Sequence, residues 1–385
     1  MLDPFSGKLS YARIMSGVAT EEMDVYDTTN DKDVKISKMF TLIGRKQVPL
    51  AEAHAGDIIV IPKLEDVRTG DTLADKDFSI RYPKIAFPQS LFTVSILPEK
   101  KGDEEKLGSA LNKIAEEDPT CVVNKDAESG QIQLSTMGEI QLDHIRTKME
   151  RKYGVKSTTE KVYIPYRETI RGKATAQGKY KKQSGGHGQY GDCVIDIEPL
   201  NNGEDFEFVD AIVGGAIPRQ FIPAVEKGCV ETLGKGIIAG YPLIQVKITL
   251  KDGSYHSVDS SEMAFKVAAS MALKKGIPEA DPVLLEPIYE ADIEVPEEYM
   301  GDIMGDISSK RGRVLGMEPA AHSGYTKVKA HVPLAEMQNY VIELRAMSQG
   351  RGSFSMNFSS YEVVPAKTAE DIISAYNNTK GEQEK

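Results

Sequence analysis

Short β-branched runs and turn signals alternate through the first 86 residues. Lys35-Ile36-Ser37 and Gly56-Asp57-Ile58-Ile59-Val60-Ile61 are such runs, and Thr69-Gly70-Asp71 is such a turn. No stretch there keeps a helical period, so residues 1–86 are expected to form a small β-barrel. The pattern changes from residue 87. LFTVSILPE (91–99) reads as a strand, and Leu107, Ala110, Leu111, Ile114 and Ala115 recur at helical spacing within 102–117. TCVVNKD (120–126) and QIQLSTM (131–137) are strand-like runs around the turn Ala127-Glu128-Ser129-Gly130. Leu142, Ile145 and Met149 share one face of a predicted helix over 139–154, and 155–162 closes the unit. The order across 87–161 is βαββαβ, the ferredoxin-like split motif.

The same order returns over 286–364. EPIYEADIEVP (286–296) reads as a strand, and Met300, Ile303, Met304 and Ile307 form one stripe of a predicted helix over 296–310. Strand-like 312–319 and 325–333 follow, then a helix carrying Leu334, Met337, Val341 and Leu344, then 352–364. Between the two units, 162–285 is mixed. Residues 179–200 alternate on both sides of Ser184-Gly185-Gly186-His187-Gly188 and predict a long hairpin. A helix over 217–233 with Pro218 near its start is predicted, then a strand entering a loop across 243–258. Asp259, with Glu262 three residues later, reads as a capping box for the next helix. Residues 365–385 read as a short helix with a frayed tail. The fold class is multidomain α+β.

Composition agrees with this division. At 385 residues the chain exceeds the roughly 250–300 at which one core stops growing, so two to four domains are expected. A hydrophobic fraction of 40% with 27% charged residues excludes a disordered chain. Cys121, Cys193 and Cys229 stand far apart with no C-x-x-C, which excludes a disulfide framework or thiolate zinc site and implies a reducing compartment. No apolar run approaches about 18 residues, and Met1-Leu2-Asp3-Pro4 lacks signal-peptide form. A cytoplasmic protein without a membrane partner is expected.

The net charge of −11 argues against non-specific nucleic-acid binding. The distribution is uneven, however. Residues 171–190 carry Arg171, Lys173, Lys179, Lys181 and Lys182 and no acid. The adjoining loop, Gln183, Ser184, Gly185, Gly186, His187 and Gly188, is glycine-rich but flanked by strands on both sides. A phosphate-binding loop needs a helix directly after it. The segment is either a plain hairpin turn or a loop whose backbone approaches RNA. Ser254, Tyr255 and His256 follow Asp252-Gly253, and the same choice applies to them. If 189–198 and 243–250 pair, both loops project from one end and offer stacking and hydrogen bonding to looped RNA.

Lys310, Arg311 and Arg313 cluster at a helix C-terminus, where cations also favour the macrodipole. Arg345 and Arg351 around Ser348-Gln349-Gly350 are a similar case, so dipole and phosphate readings stand equally. The histidines show no H-x-x-x-H spacing, and neither G-x-S-x-G nor G-x-x-x-x-G-K-[ST] nor N-K-x-D occurs. No catalytic residue, metal or cofactor is expected in this chain.

These residues resemble one family. KKQSGGHGQYGDCVIDIEPL (181–200), AIPRQFIPAVEKG, GIIAGYPLIQVKITLKDGSYHSVDSSEMAFKVAAS and VLLEPIYEADIEVPEEYMGDIMGDISSKRGRVLGM are similar to bacterial elongation factor G, as are Ile114–Thr120 and Met137–Leu142. The resemblance extends over about 3–364. It implies domain II (1–86), ferredoxin-like domain III (87–161), domain IV (162–285), domain V (286–364) and a C-terminal helix or tail (365–385). Domain IV would have the fold of ribosomal protein S5 domain 2 and mimic a tRNA arm entering the decoding region. Gln183 to Gly188 would be its first tip loop, and Ser254, Tyr255 and His256 its second.

The implied activity is GTP-dependent translocation of tRNA and mRNA by a monomer. Its partners would be the rRNA of both ribosomal subunits and the mRNA–tRNA complex. The family's GTPase domain, which holds GTP and magnesium, precedes domain II, and Met1 falls inside domain II. The expectation is that this chain alone does not bind or hydrolyse GTP. The family usually has Arg where His187 stands, which implies a divergent paralogue. Ribosome recycling, ribosomal protection and a stand-alone ribosome-binding module remain the alternative readings.

Overall fold

A computed structural model describes residues 1–385 except 4–6, 45, 183–187 and 384–385; for 2, 3 and 379–383 it describes the backbone alone. Two compact units are present. One is Met1–Tyr163 with Gln338–Ile342, the other Ile164–Met337 with Glu343–Lys385.

In the first unit, the N-terminal region is all β. Its strands make a five-stranded sheet that includes Gly7–Arg13, Ile58–Pro62 and Phe40–Ile43. A second sheet joins Met23–Asp27, Lys32–Ile36 and Leu73–Ala74, and a third pairs Val18–Thr20 with Glu52–His54. These sheets share a barrel-like core of Val25, Ile36, Met39, Ala53, Ile59 and Ile61. The ladders run as three sheets, without a closed ring among the described residues. Ile59 and Ile61 face that core, whereas Val60 joins Leu9 and Phe40 in a second cluster. Both faces of this strand are covered, which is why its apolar run is continuous.

The following βαββαβ unit consists of Phe92–Pro98, Glu104–Glu117, Val122–Lys125, Ile132–Thr136, Glu139–Lys148 and Ser157–Glu160. The first strand lies between the third and the fourth, and the second pairs with the third. Leu107, Ala110, Leu111 and Ile114 are buried, as their spacing predicts. The predicted helix over 139–154 is α-helical only to Lys148. It then widens into a π-helical turn, Met149–Tyr153, and stops at Gly154, whose φ of +67° suits glycine.

In the second unit, Ala174–Lys182 pairs with Gln189–Pro199, which pairs with Val246–Ser254, which pairs in parallel with Phe206–Asp210. The helices Ile222–Leu233 and Glu262–Gly276 bury Val225, Cys229, Phe265, Ala268 and Ala272 against Cys193, Ile195, Ile197, Ile248 and Leu250. The second βαββαβ unit contains Pro282–Pro296, Met300–Ser309, Arg313–Pro319, Tyr325–Pro333, Tyr340–Met347 and Ser353–Val363. Its strand order repeats that of the first. Pro282–Pro296 also pairs through its first residues with Arg167–Ile170, so one strand serves both domains.

Four further helix expectations are corrected. The stretch 217–233 opens with a 3₁₀ turn, Arg219–Phe221, and the stretch 296–310 with another, Glu297–Tyr299. The helix after Pro333 is divided into Leu334–Met337 and Tyr340–Met347. Residues 366–383 form one 18-residue helix, longer than the short helix with a frayed tail that was expected, because Ala369, Ile372 and Ile373 pack with Tyr166, Ala239, Leu284 and Val364. No described helix is long and apolar enough to cross a membrane.

Candidate nucleic-acid interface

The hairpin is held close to the helix Glu262–Gly276. A Cβ at Gly178 would lie 2.0 Å from the Ala268 carbonyl oxygen, and one at Gly191 would lie 2.5 Å from that of Ala264. Only glycine permits this approach, and the small residues Ala264 and Ala268 line the helix there. The two strands are thereby pressed onto the helix at Gly178 and Gly191. The open face of the hairpin carries Lys179 and Lys181, and Lys182 ends the strand opposite Gln189.

The expected pairing of the two loop-bearing strands is present, with Asp192 opposite Ser254. Gln183, Ser184, Gly185, Gly186 and His187 lie outside the described residues. Gly188 is described: its N–H donates to the Asp259 carboxylate at 3.0 Å. Tyr190 N–H donates to the Asp259 carbonyl at 2.8 Å, and the Ser260 hydroxyl donates to the Tyr190 carbonyl at 3.0 Å. The two tip loops are thus tied together. This corrects the capping expectation. Ser261 caps the helix, accepting from Ala264 N–H at 3.2 Å, and Asp259 serves the neighbouring loop.

His256 is half exposed at the tip. Its Nδ1 accepts N–H bonds from Val258 at 3.3 Å and Asp259 at 3.1 Å. With Nδ1 an acceptor, the ring proton is assigned to Nε2, which leaves a donor for an outside partner. Nδ1 also lies 3.4 Å from an Asp259 carboxylate oxygen. We read that contact as secondary to the two amide bonds, because an acceptor nitrogen has no proton to give. Tyr255 is 49% exposed, and the Tyr190 ring lies 6.4 Å from that of His256.

Ser254 also has partners inside the chain. Its hydroxyl donates to buried Asp192 at 2.7 Å and sits 2.7 Å from the Tyr190 hydroxyl, so it braces the loop from inside. Lys179 is 3.8 Å from Asp192 and 5.6 Å from the Tyr190 ring centre. Lys181 and Lys182 are exposed and have no ion-pair partner among the described residues. Arg171 pairs with Asp281 at 3.0 Å.

The basic residues of the C-terminal domain are placed differently. Lys310 reaches Glu343 at 2.6 Å and Asp306 at 3.6 Å. Arg311 forks onto buried Glu286 at 2.5 and 2.9 Å and bonds Glu336 at 3.0 Å. Its hydrogen bonds to Glu286 raise an already high pKa further. Arg351 contacts Glu298 and the Tyr299 hydroxyl at 2.5 and 2.6 Å. Exposed Arg313 lies 3.3 Å from His331 Nδ1, and Arg345 is half-buried on its helix. The structure does not bring these residues to the domain IV tip.

One tip element was missed in the sequence. Because Phe206–Asp210 runs parallel to Val246–Ser254, the connection 211–218 leaves from the same end as Tyr255. The only local signal was Gly214-Gly215, and nothing in the local pattern reveals a parallel pairing.

Comparison with known proteins follows the same order along the chain. Residues 1–76 match elongation factor G domain 2, 87–161 match domain III, 163–281 match domain IV, and 283–372 match the elongation factor G C-terminus. A crystal structure of a Thermus thermophilus protein is 36% identical with a TM-score of 0.81, over 98% of this chain. This chain spans 56% of that one. Four domains of a single family, in sequence and covering nearly the whole length, make this chain a member of the elongation factor G family.

Proposed function

We propose that this chain is the ribosome-binding part of a translational GTPase that moves tRNA and mRNA after peptide transfer. Its domain IV tip contacts RNA in the decoding region. The observation that supports this reading most is the construction of the tip. A hairpin packed on a helix presents Lys181 and Lys182, without an ion-pair partner among the described residues, beside a second loop that offers Tyr255 and the Nε2–H of His256. Lysine charge attracts phosphates and positions the arm, while an aromatic ring and a directed donor address bases or ribose. In this reading GTP and magnesium belong to a GTPase domain of the whole protein, and the present chain needs no cofactor. The partners are rRNA of both subunits and the mRNA–tRNA complex, met by a monomer in the cytoplasm.

The test uses this chain fused to a competent GTPase domain, with and without His256→Ala. Ribosome affinity should change by less than about 1 kcal/mol, the scale of one ordinary hydrogen bond. Single-round translocation should slow at least about tenfold, roughly 1.4 kcal/mol on the barrier. Unchanged translocation would make His256 a bracing residue only and remove the reading.

A further inference from the structure

We propose that the connection 211–218, with Arg219 directly after it, is a third RNA-contacting surface of the tip, presenting Val213, the Gly214-Gly215 backbone and Arg219 to a ribose–phosphate chain. The proposal rests on the reading of the tip as the ribosome-facing end, and it adds a surface that the two hairpin-side loops do not include.

Both limbs of the loop are anchored beside the established tip. Ala211 N–H donates to the Leu250 carbonyl at 2.9 Å, and Ile212 N–H donates to the Asp210 carboxylate at 3.0 Å. On the returning limb, buried Ile217 sits where a Cβ at Gly253 would be 2.6 Å from its Cδ1. Gly253 immediately precedes Ser254 and Tyr255, so the loop stands next to the second tip loop.

Between the anchors the chain is bare. Val213 is 84% exposed, although its neighbours Ile212 and Ile217 are drawn inward. Gly214 and Gly215 have φ of +70° and +72°, two consecutive left-handed residues that only glycine adopts at little cost. No atom lies within 4 Å of an ideal Cβ at either position. Crowding within this chain therefore does not require glycine, and a partner can approach the open peptide groups. Neither glycine amide has a hydrogen-bond partner among the described residues. Arg219 is exposed and has no ion pair among the described residues.

Open peptide donors and a guanidinium suit phosphate oxygens, and an aliphatic apex suits a ribose or base face. Two nearby carboxylates each accept a backbone N–H bond and keep their charge. Asp210 accepts from Ile212 N–H, and Asp252 accepts from the Gly253 amide at 2.8 Å.

The experiment places a benzophenone probe on the full chain at Val213→Cys or, separately, at Tyr255→Cys, and irradiates each with purified ribosomes. Native Cys121, Cys193 and Cys229 are buried, and burial pushes the Cys193 thiol up to about 12, so labelling is confined to the introduced thiol. Cross-links to rRNA from both positions are expected. A cross-link from 255 with none from 213, or one from 213 to ribosomal protein alone, overturns the third loop and leaves the tip reading standing. Absence of cross-links at both positions overturns both. Independently, Arg219→Gln should lower the log–log salt slope of ribosome binding by about 0.7–0.9, with the melting temperature unchanged. An unchanged slope removes Arg219 from the surface.

Discussion

The hairpin end at Lys179–Lys182 and the helix end at Lys310–Arg313 both set basic residues near glycine, and their charges go to different uses. At the helix end, Lys310 and Arg311 turn inward onto Asp306, Glu343, Glu286 and Glu336. Glu286 is buried, and Arg311 holds it from a left-handed position with φ of +61°. At the hairpin end, Asp192 engages Lys179, while Lys181 and Lys182 face solvent. The difference shows that a basic cluster stays open to an anionic partner only where the fold supplies no acids to neutralise it. Where it does supply them, the same residues hold the domain together.

The largest effect should come from the inward cluster. Arg311→Ala leaves the buried Glu286 carboxylate unpaired and should cost about 3–5 kcal/mol, read as denaturant unfolding of the C-terminal unit. A loss below about 1 kcal/mol would mean that the arginine is not structural, and the contrast between the clusters would fail. Gly178→Ala sharpens the other side of the comparison. Its Cβ would meet the Ala268 carbonyl at 2.0 Å, and overpacking of this kind costs about 1–3 kcal/mol. Because no charge changes, ribosome affinity should fall at every ionic strength with the salt slope intact. Ser261→Ala is smaller still. Loss of the helix cap should cost about 1 kcal/mol in thermal unfolding, whereas Asp259→Ala, away from the cap, should leave the helix stability within about 0.5 kcal/mol.

Much of this arrangement was legible locally. Alternation along 179–200 predicted the hairpin whose second strand buries Cys193, Ile195 and Ile197, and helical spacing identified Leu107, Leu111 and Ile114. The repeated βαββαβ order followed from the succession of those two periods. What was not legible depends on contacts distant in sequence. Glu286, Glu336 and Glu343 reach Lys310 and Arg311 from three other elements, so the sequence left the dipole and phosphate readings level and did not show the ion pairs. The cap moved from Asp259 to Ser261 because Gly188, 71 residues away in sequence, takes the aspartate. Nothing in the local pattern marks Gly178 and Gly191 for the helix backbone that lies against them. The third tip loop required the parallel pairing of Phe206–Asp210.

The contrast between the two clusters is tested most directly by changing Lys181 and Lys182 together to alanine and measuring ribosome affinity from low to high salt. Each phosphate contact contributes about 0.7–0.9 to the log–log slope, so the slope should fall by about 1–2. Unfolding stability should stay within about 0.5 kcal/mol of the parent, as for other exposed substitutions. A slope that does not move would contradict the account, leaving both lysines a solvated face and the tip without its electrostatic contact to RNA.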